Sequence, residues 1–218
     1  NYMTKKQMII SAAVELFAEK GIESTSVQQI TEKCGISKGA FYLHFKSKEQ
    51  LTVAILDHFM QNALLKIDHS DISNDSNDEK LYQYYYESLL YFQQYKSLAL
   101  IFLREQRADV GDLCFQKMLF YEGLTMLTIS EMLDSIFGER LAETKYDLIL
   151  LMQGMLKTYM NVLLFINQTL DLHIIARSLV EKTNVLVEHS SIHILNKTNL
   201  SHDLSSIISS DIIKAELE

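Results

Sequence analysis

The chain has 218 residues, 48% of them hydrophobic, with no proline, seven glycines and a formal net charge of −8. Such a chain can bury a full core in one or two domains, and the shortage of both turn-forming residues argues against short strands joined by tight turns and predicts an all-α fold. Two cysteines, Cys34 and Cys114, exclude a disulfide framework and point to a reducing cytoplasm, while no run approaches the ~18–20 apolar residues of a membrane span.

At the N-terminus, "NYMTKKQM" offers no apolar export signal, and Met3, behind Asn1 and Tyr2, reads as the natural start. Charge is unevenly spread. Residues 1–50 carry seven lysines against five glutamates, and the remainder carries 13 basic against 23 acidic residues. A basic head on an acidic body suits local contact with an anionic polymer.

Residues 4–20 have the period of an amphipathic helix, with Ile9, Ala12, Ala13, Leu16 and Phe17 on one face and Gly21 as its stop. Ser26 and Gln29 form a capping-box pattern that opens a short helix, with Val27, Ile30 and Cys34 inward and Gly35 at its end. Ile36 is expected to plug the core and Ser37 to cap a third helix over 38–45, burying Phe41 and Phe45 and turning Tyr42 and His44 outward. Ser47 and Gln50 repeat the capping pattern and open a long helix to about residue 67. Two short helices around a glycine-containing turn, braced by the first, make a three-helix helix-turn-helix head over residues 1–50.

The polar stretch 68–78 reads as a loop. Helices are then expected over 79–95, 97–108, 111–137, 142–167 and 171–190, with one more amphipathic turn or two around Leu204, Ile207, Ile208 and Ile212. Residues 51–218 would form a helical body for ligand binding and dimerisation, with the fourth helix as connector. The helices 142–167 and 171–190 carry more apolar surface than one inner face requires, which predicts a four-helix homodimer interface.

The chemistry concentrates in "ISKGAFYLHFKSKEQL", residues 36–51. A recognition helix enters the major groove with its N-terminal residues near base edges. Ser37, Lys38, Gly39 and Ala40 supply small side chains, one cation and open backbone N–H groups; Tyr42, His44 and Lys46 supply further donors; Lys48 is placed to clamp a phosphate. A cation at a helix start opposes the dipole by ~0.3–1 kcal/mol, which favours an anionic partner there.

The run from Gly21 to Leu51 resembles the N-terminal domain of TetR-family transcriptional regulators, through "LFAEKG", "TSVQQI", "CGISKG", "FYLHF" and "KSKEQL" at matching spacing. The resemblance implies backbone contacts for Ser26, Tyr42, His44 and Lys48, and base reading for Gln28, Lys38, Gly39 and Leu43. Ala40 stands where the family commonly has Thr or Ser, so a hydroxyl contact is lost there; Cys34 replaces a usual small apolar residue. The resemblance also implies a small-molecule effector site in the body. Tyr86, Phe102, Phe115, Met118, Tyr121, Met126, Met152, Met155 and Tyr159 are the candidates for an adaptable apolar lining, since methionine repacks easily and tyrosine has a polar tip. An ordinary core accounts for any one of them singly. A lipophilic effector is expected, with Arg104, Glu105, Arg107 and Glu122 able to select its charge.

The expected function is therefore a ligand-responsive DNA-binding regulator, a repressor released from operator DNA by its effector, working without membrane or cofactor. No GxGxxG, GKS/T, HExxH or GxSxG motif supports an enzyme. His189 and His193, four apart, lack further ligands at motif spacing and read as a surface pair rather than a metal site. The competing reading is a helical lipid- or cofactor-binding carrier whose head is incidental.

Overall fold

The computed structural model describes residues 3–68, 76–104, 110–142, 144–165 and 170–196, and every regular element among them is helical. In chain order these are α1 (Lys5–Lys20), α2 (Val27–Cys34), α3 (Lys38–Tyr42), α4 (Lys48–Asp68), α5 (Asn77–Gln94), α6 (Lys96–Arg104), α7 (Asp112–Phe137), α8 (Lys145–Phe165) and α9 (Leu172–His189), with a 3-10 turn at Gly138–Arg140. No described helix is long and apolar enough to cross a membrane.

Contacts divide the chain into two compact units, Asn1–Met60 with Tyr95–Leu119, and Gln61–Gln94 with Phe120–Glu218. The division differs from the expected boundary near residue 50. The head unit keeps α4 as far as Met60 and also takes in α6 and the first turns of α7.

In the first unit, α1 buries the expected Ile9, Ala12, Ala13, Leu16 and Phe17 and packs on α2 and α6. Thr4 caps it reciprocally with Gln7, and Ser26 caps α2 with Gln29 in the same way. Gly35 ends α2 at φ +67°, a left-handed conformation that a side chain would strain. Ser37 Oγ accepts from Ala40 N at 3.1 Å and opens α3, which stops at Tyr42 rather than continuing to residue 45. The chain tightens there, His44 N donating to Phe41 O, yet Phe45 N also reaches Phe41 O, so both phenylalanines still turn into the core. Val27, Cys34 and Ile36 are half-buried rather than fully inward.

In the second unit, Leu81, Tyr84, Tyr85 and Leu89 of α5 meet Ile129 and Leu133 of α7, Ile149 and Met152 of α8, and Ala176 and Leu179 of α9 in one core. The buried Tyr85 hydroxyl pairs with Thr183 Oγ1 at 2.7 Å, and Thr183 donates on to Leu179 O, so the polar tips are satisfied. Helix α8 begins at Lys145, not 142, because the 3-10 turn and the bonds of Thr144 and Lys145 to Leu141 O intervene. After α9 the chain runs without helix to residue 196, where Asp147 accepts from Ile194 N and Leu195 N. The expected helix around Leu204, Ile207, Ile208 and Ile212 lies outside the described residues.

Candidate nucleic-acid interface

Within the first unit, α2 and α3 bring most of the expected contact residues to the surface. Ser26, Gln28, Ser37, Lys38, Gly39, Tyr42, Leu43, His44 and Lys46 are exposed, and Ala40 is half-buried. Ser26 and Ser37 use an oxygen lone pair for capping, which leaves each hydroxyl proton to be offered outward. Gln28 Nε2 donates to Glu32 Oε1 at 2.9 Å, a bond that fixes the direction of its amide. Tyr42 stands edge-on to the buried Phe41 ring, with centroids 5.3 Å apart, so its rigid ring projects the hydroxyl from a core anchor.

Lys48, expected at a phosphate, also has partners inside the fold. Its Nζ donates to the carbonyl oxygens of Ile22 at 2.7 Å, Thr25 at 2.8 Å and Glu23 at 3.3 Å. An ammonium has three protons, enough for three such acceptors. The side chain thus ties the loop between α1 and α2 to the first turn of α4. The buried Thr25 adds a second tie, donating to Gly21 O at 2.8 Å.

Lys6 was not among the residues expected from the sequence. Its Nζ lies 5.7 Å from the centroid of Phe45, which brings the start of α1 beside the segment that follows α3. The signal was present in "TKKQ", two lysines in the first turn of a capped helix. The first turns of α1, α2 and α3 contain no acid. The first turn of α6 is also without an acid, while α4, α5, α7 and α8 place Glu49, Asp78 with Glu79, Asp112 and Asp147 there, and Asp171 caps α9. Helix N-termini attract anions, and those of α1, α2 and α3 keep no carboxylate of their own to satisfy that attraction.

The expected effector-lining residues fall in both units. Phe102, Phe115 and Met118 are half-buried in the first. In the second, Met152 and Tyr121 are buried, while Tyr86, Met126, Met155 and Tyr159 pack half-buried against the core. Glu122 is exposed; the side chain of Arg104 and residues Glu105 and Arg107 lie outside the described residues. A cleft of about 510 Å³ in the second unit is lined by Asp134, Gly138, Glu139, Ala142, Lys145 and Tyr146, none of them an expected lining residue. Two buried acceptors, Gln116 Oε1 in the first unit and Gln153 Oε1 in the second, have no hydrogen-bond partner. His189 and His193 are exposed. Burial, with the Glu49 and Asp57 carboxylates adding to it, pushes the Cys114 thiol up to about 12, which makes it an inert core residue.

A sequence profile described as "Bacterial regulatory proteins, tetR family" matches residues 9–55. The chain is 31% identical over 198 residues to YerO, an uncharacterised HTH-type transcriptional regulator of Bacillus subtilis, covering 88% of this chain and 68% of that protein. It is 27% identical over 190 residues to a second such regulator of that bacterium, YuxN, covering 86% of this chain and 64% of its length. Among solved structures, a TetR-like transcriptional regulator from Rhodococcus superposes with a TM-score of 0.70 at 16% identity, over 87% of this chain and 100% of the other. A transcriptional regulator from Aquifex aeolicus gives 0.63 at 24% identity, over 84% and 99%.

Proposed function

The chain belongs to the TetR family of bacterial regulatory proteins, a family of DNA-binding transcriptional regulators, and from that premise we propose that it is a homodimeric repressor released from its operator by a small apolar molecule. The observation that carries the reading is the head surface: exposed hydroxyl, amide and ammonium donors around helix starts that hold no acid. Phosphate contacts come from Ser26, Tyr42, His44, Lys46 and Lys6, which set the register. Base edges are read by Gln28 and by Ser37, Lys38, Gly39 and Ala40 at the start of α3. A Cβ on Gly39 would meet only Ser37 Oγ, at 3.8 Å, so the fold itself tolerates a side chain there. The bare Cα serves close approach of the backbone to the groove.

Dimerisation is assigned to α8 and α9. Leu150, Leu151, Ile174 and Val185 are large, apolar and exposed on them, and Gly154 stands open among the α8 positions. An effector is supported by the orphaned Gln153 oxygen in the second unit, since a buried acceptor of this kind is normally paired. A largely apolar ligand bearing an N–H or O–H donor fits that chemistry. The regulator acts where DNA lies, in the cytoplasm.

The test is titration against a duplex selected from random sequence and against its scrambled version, over a series of salt concentrations. The expected result is a preference of about 10³-fold or more for the selected duplex, with affinity falling linearly in log salt. Equal affinity for both duplexes would overturn the repressor reading in favour of a carrier with an incidental head.

A further inference from the structure

The chain leaves α9 at Ser190, whose N–H still bonds to Leu186 O at 3.1 Å and whose ψ of 121° is extended. From there to Asn196 it has no helix, yet it is held in place. The carboxylate of Asp147, in the first turn of α8, accepts from Ile194 N at 2.8 Å and from Leu195 N at 3.3 Å. Hydrogen bonds to a charged group are the stronger kind. Leu195 is half-buried, but Ile192 and Ile194 stand 84% and 81% exposed. Residues 190–195 contain no Asp, Glu, Lys or Arg. A solvated tail has the opposite character, charged and untethered. Holding a segment costs conformational entropy, and the two isoleucines bury little in return among the described residues of one chain.

A partner for this segment must bring apolar surface and need no charge. Ile192 lines one small cleft with Leu151 of α8 and Leu186 of α9. It therefore continues, past the end of α9, the apolar face to which dimerisation is assigned. Resting on the homodimer proposed above, we infer that residues 190–196 are an arm, held by Asp147, whose Ile192 and Ile194 dock on a second copy of this chain beyond the contacts of α8 and α9. A twofold interface uses the same patch from both subunits, so each copy lays its arm on the other and four isoleucines are covered at once.

The experiment uses the full chain. The dimer dissociation constant is measured by sedimentation over a dilution series for the wild type, for the double variant Ile192→Ser with Ile194→Ser, and for Asp147→Asn. The double variant is expected to raise the constant by about 100-fold or more, the effect of uncovering several isoleucines. Its helix content by circular dichroism should stay that of the wild type, because both residues are exposed. Asp147→Asn keeps the isoleucines, removes the charge that holds the arm, and should weaken the dimer in the same direction. In a second measurement, a photoreactive phenylalanine analogue replaces Ile192 in an equal mixture of isotopically heavy and light chains. Cross-links between heavy and light chains are expected. The inference is overturned if either variant dimerises as tightly as the wild type, or if cross-links stay within one chain, which would make residues 197–218 the cover. A wild-type dimer with any of these results leaves the homodimer reading intact; a wild-type chain that stays monomeric removes both.

Discussion

Lys48 shows at the scale of one side chain how a residue placed for an outside contact can also brace the fold. In the sequence it opens a helix beside a DNA-reading segment, where a cation has no internal anion to meet. Its actual partners are the carbonyls of Ile22, Glu23 and Thr25, 23 to 26 residues earlier, and no local spacing announces them. The expected consequence separates two kinds of lysine. Lys48→Met should cost about 1–3 kcal/mol of stability, because hydrogen bonds to a charged group are lost and their acceptors are left poorly paired. It should weaken binding to every duplex while leaving the salt dependence unchanged. Lys46→Ala should instead leave stability alone and lower the slope of log affinity against log salt by about one phosphate's worth. Denaturant unfolding together with salt-series titration of both variants checks this; a reduced slope in Lys48→Met would restore the phosphate clamp.

At the scale of elements, α4 and the start of α7 are joined within the first unit at two points. Glu49 Oε1 accepts from Leu113 N at 3.0 Å, and Lys117 Nζ lies 3.6 Å from Asp57 Oδ1. Gly111 makes the first possible, since its φ is +86° and a Cβ there would collide with the Glu49 carboxylate. Gly111→Ala is therefore expected to destabilise by about 1–2 kcal/mol from the left-handed backbone, and by more once Glu49 is displaced. Glu49→Gln, which keeps an acceptor of the same shape, should be milder. Denaturation midpoints of the two variants give the order; equal midpoints would dissolve the join. Helix spans and inward faces were legible in the sequence because periodicity and capping are local: Ile9 to Phe17 on α1 and Ser26 with Gln29 on α2 are the clear cases. Periodicity names the face that is buried but not its partner. That is why the gathering of α6 and the start of α7 into the head was invisible, and why the third helix was drawn three residues too long. Most of the candidate site was legible, since its exposed residues cluster within one short segment; Lys6, distant in sequence, was not.

On the scale of the whole molecule, the proposed release requires that ligand binding alter the proposed operator contacts. Two helices, α4 and α7, each carry residues of both units. Both start where the head is tied together: α4 at Lys48 and Glu49, α7 at the Gly111 turn. An effector that favours one setting of these helices over another must, by linkage, bias the operator-binding form by the same free energy. A hundredfold loss of operator affinity requires about 2.7 kcal/mol, within the usual range of coupling between sites. Reciprocity then demands that saturating operator duplex weaken effector binding a hundredfold. The measurement takes an apolar ligand identified by its thermal stabilisation of the chain, and titrates it calorimetrically with and without the selected duplex. Gly111→Ala, by loosening one tie, should shrink the difference between the two affinities. A ligand with equal affinity in both titrations is not the effector, because a molecule that binds two states equally shifts neither. If every ligand that stabilises the chain behaves so, the protein binds its operator constitutively and the switch does not exist.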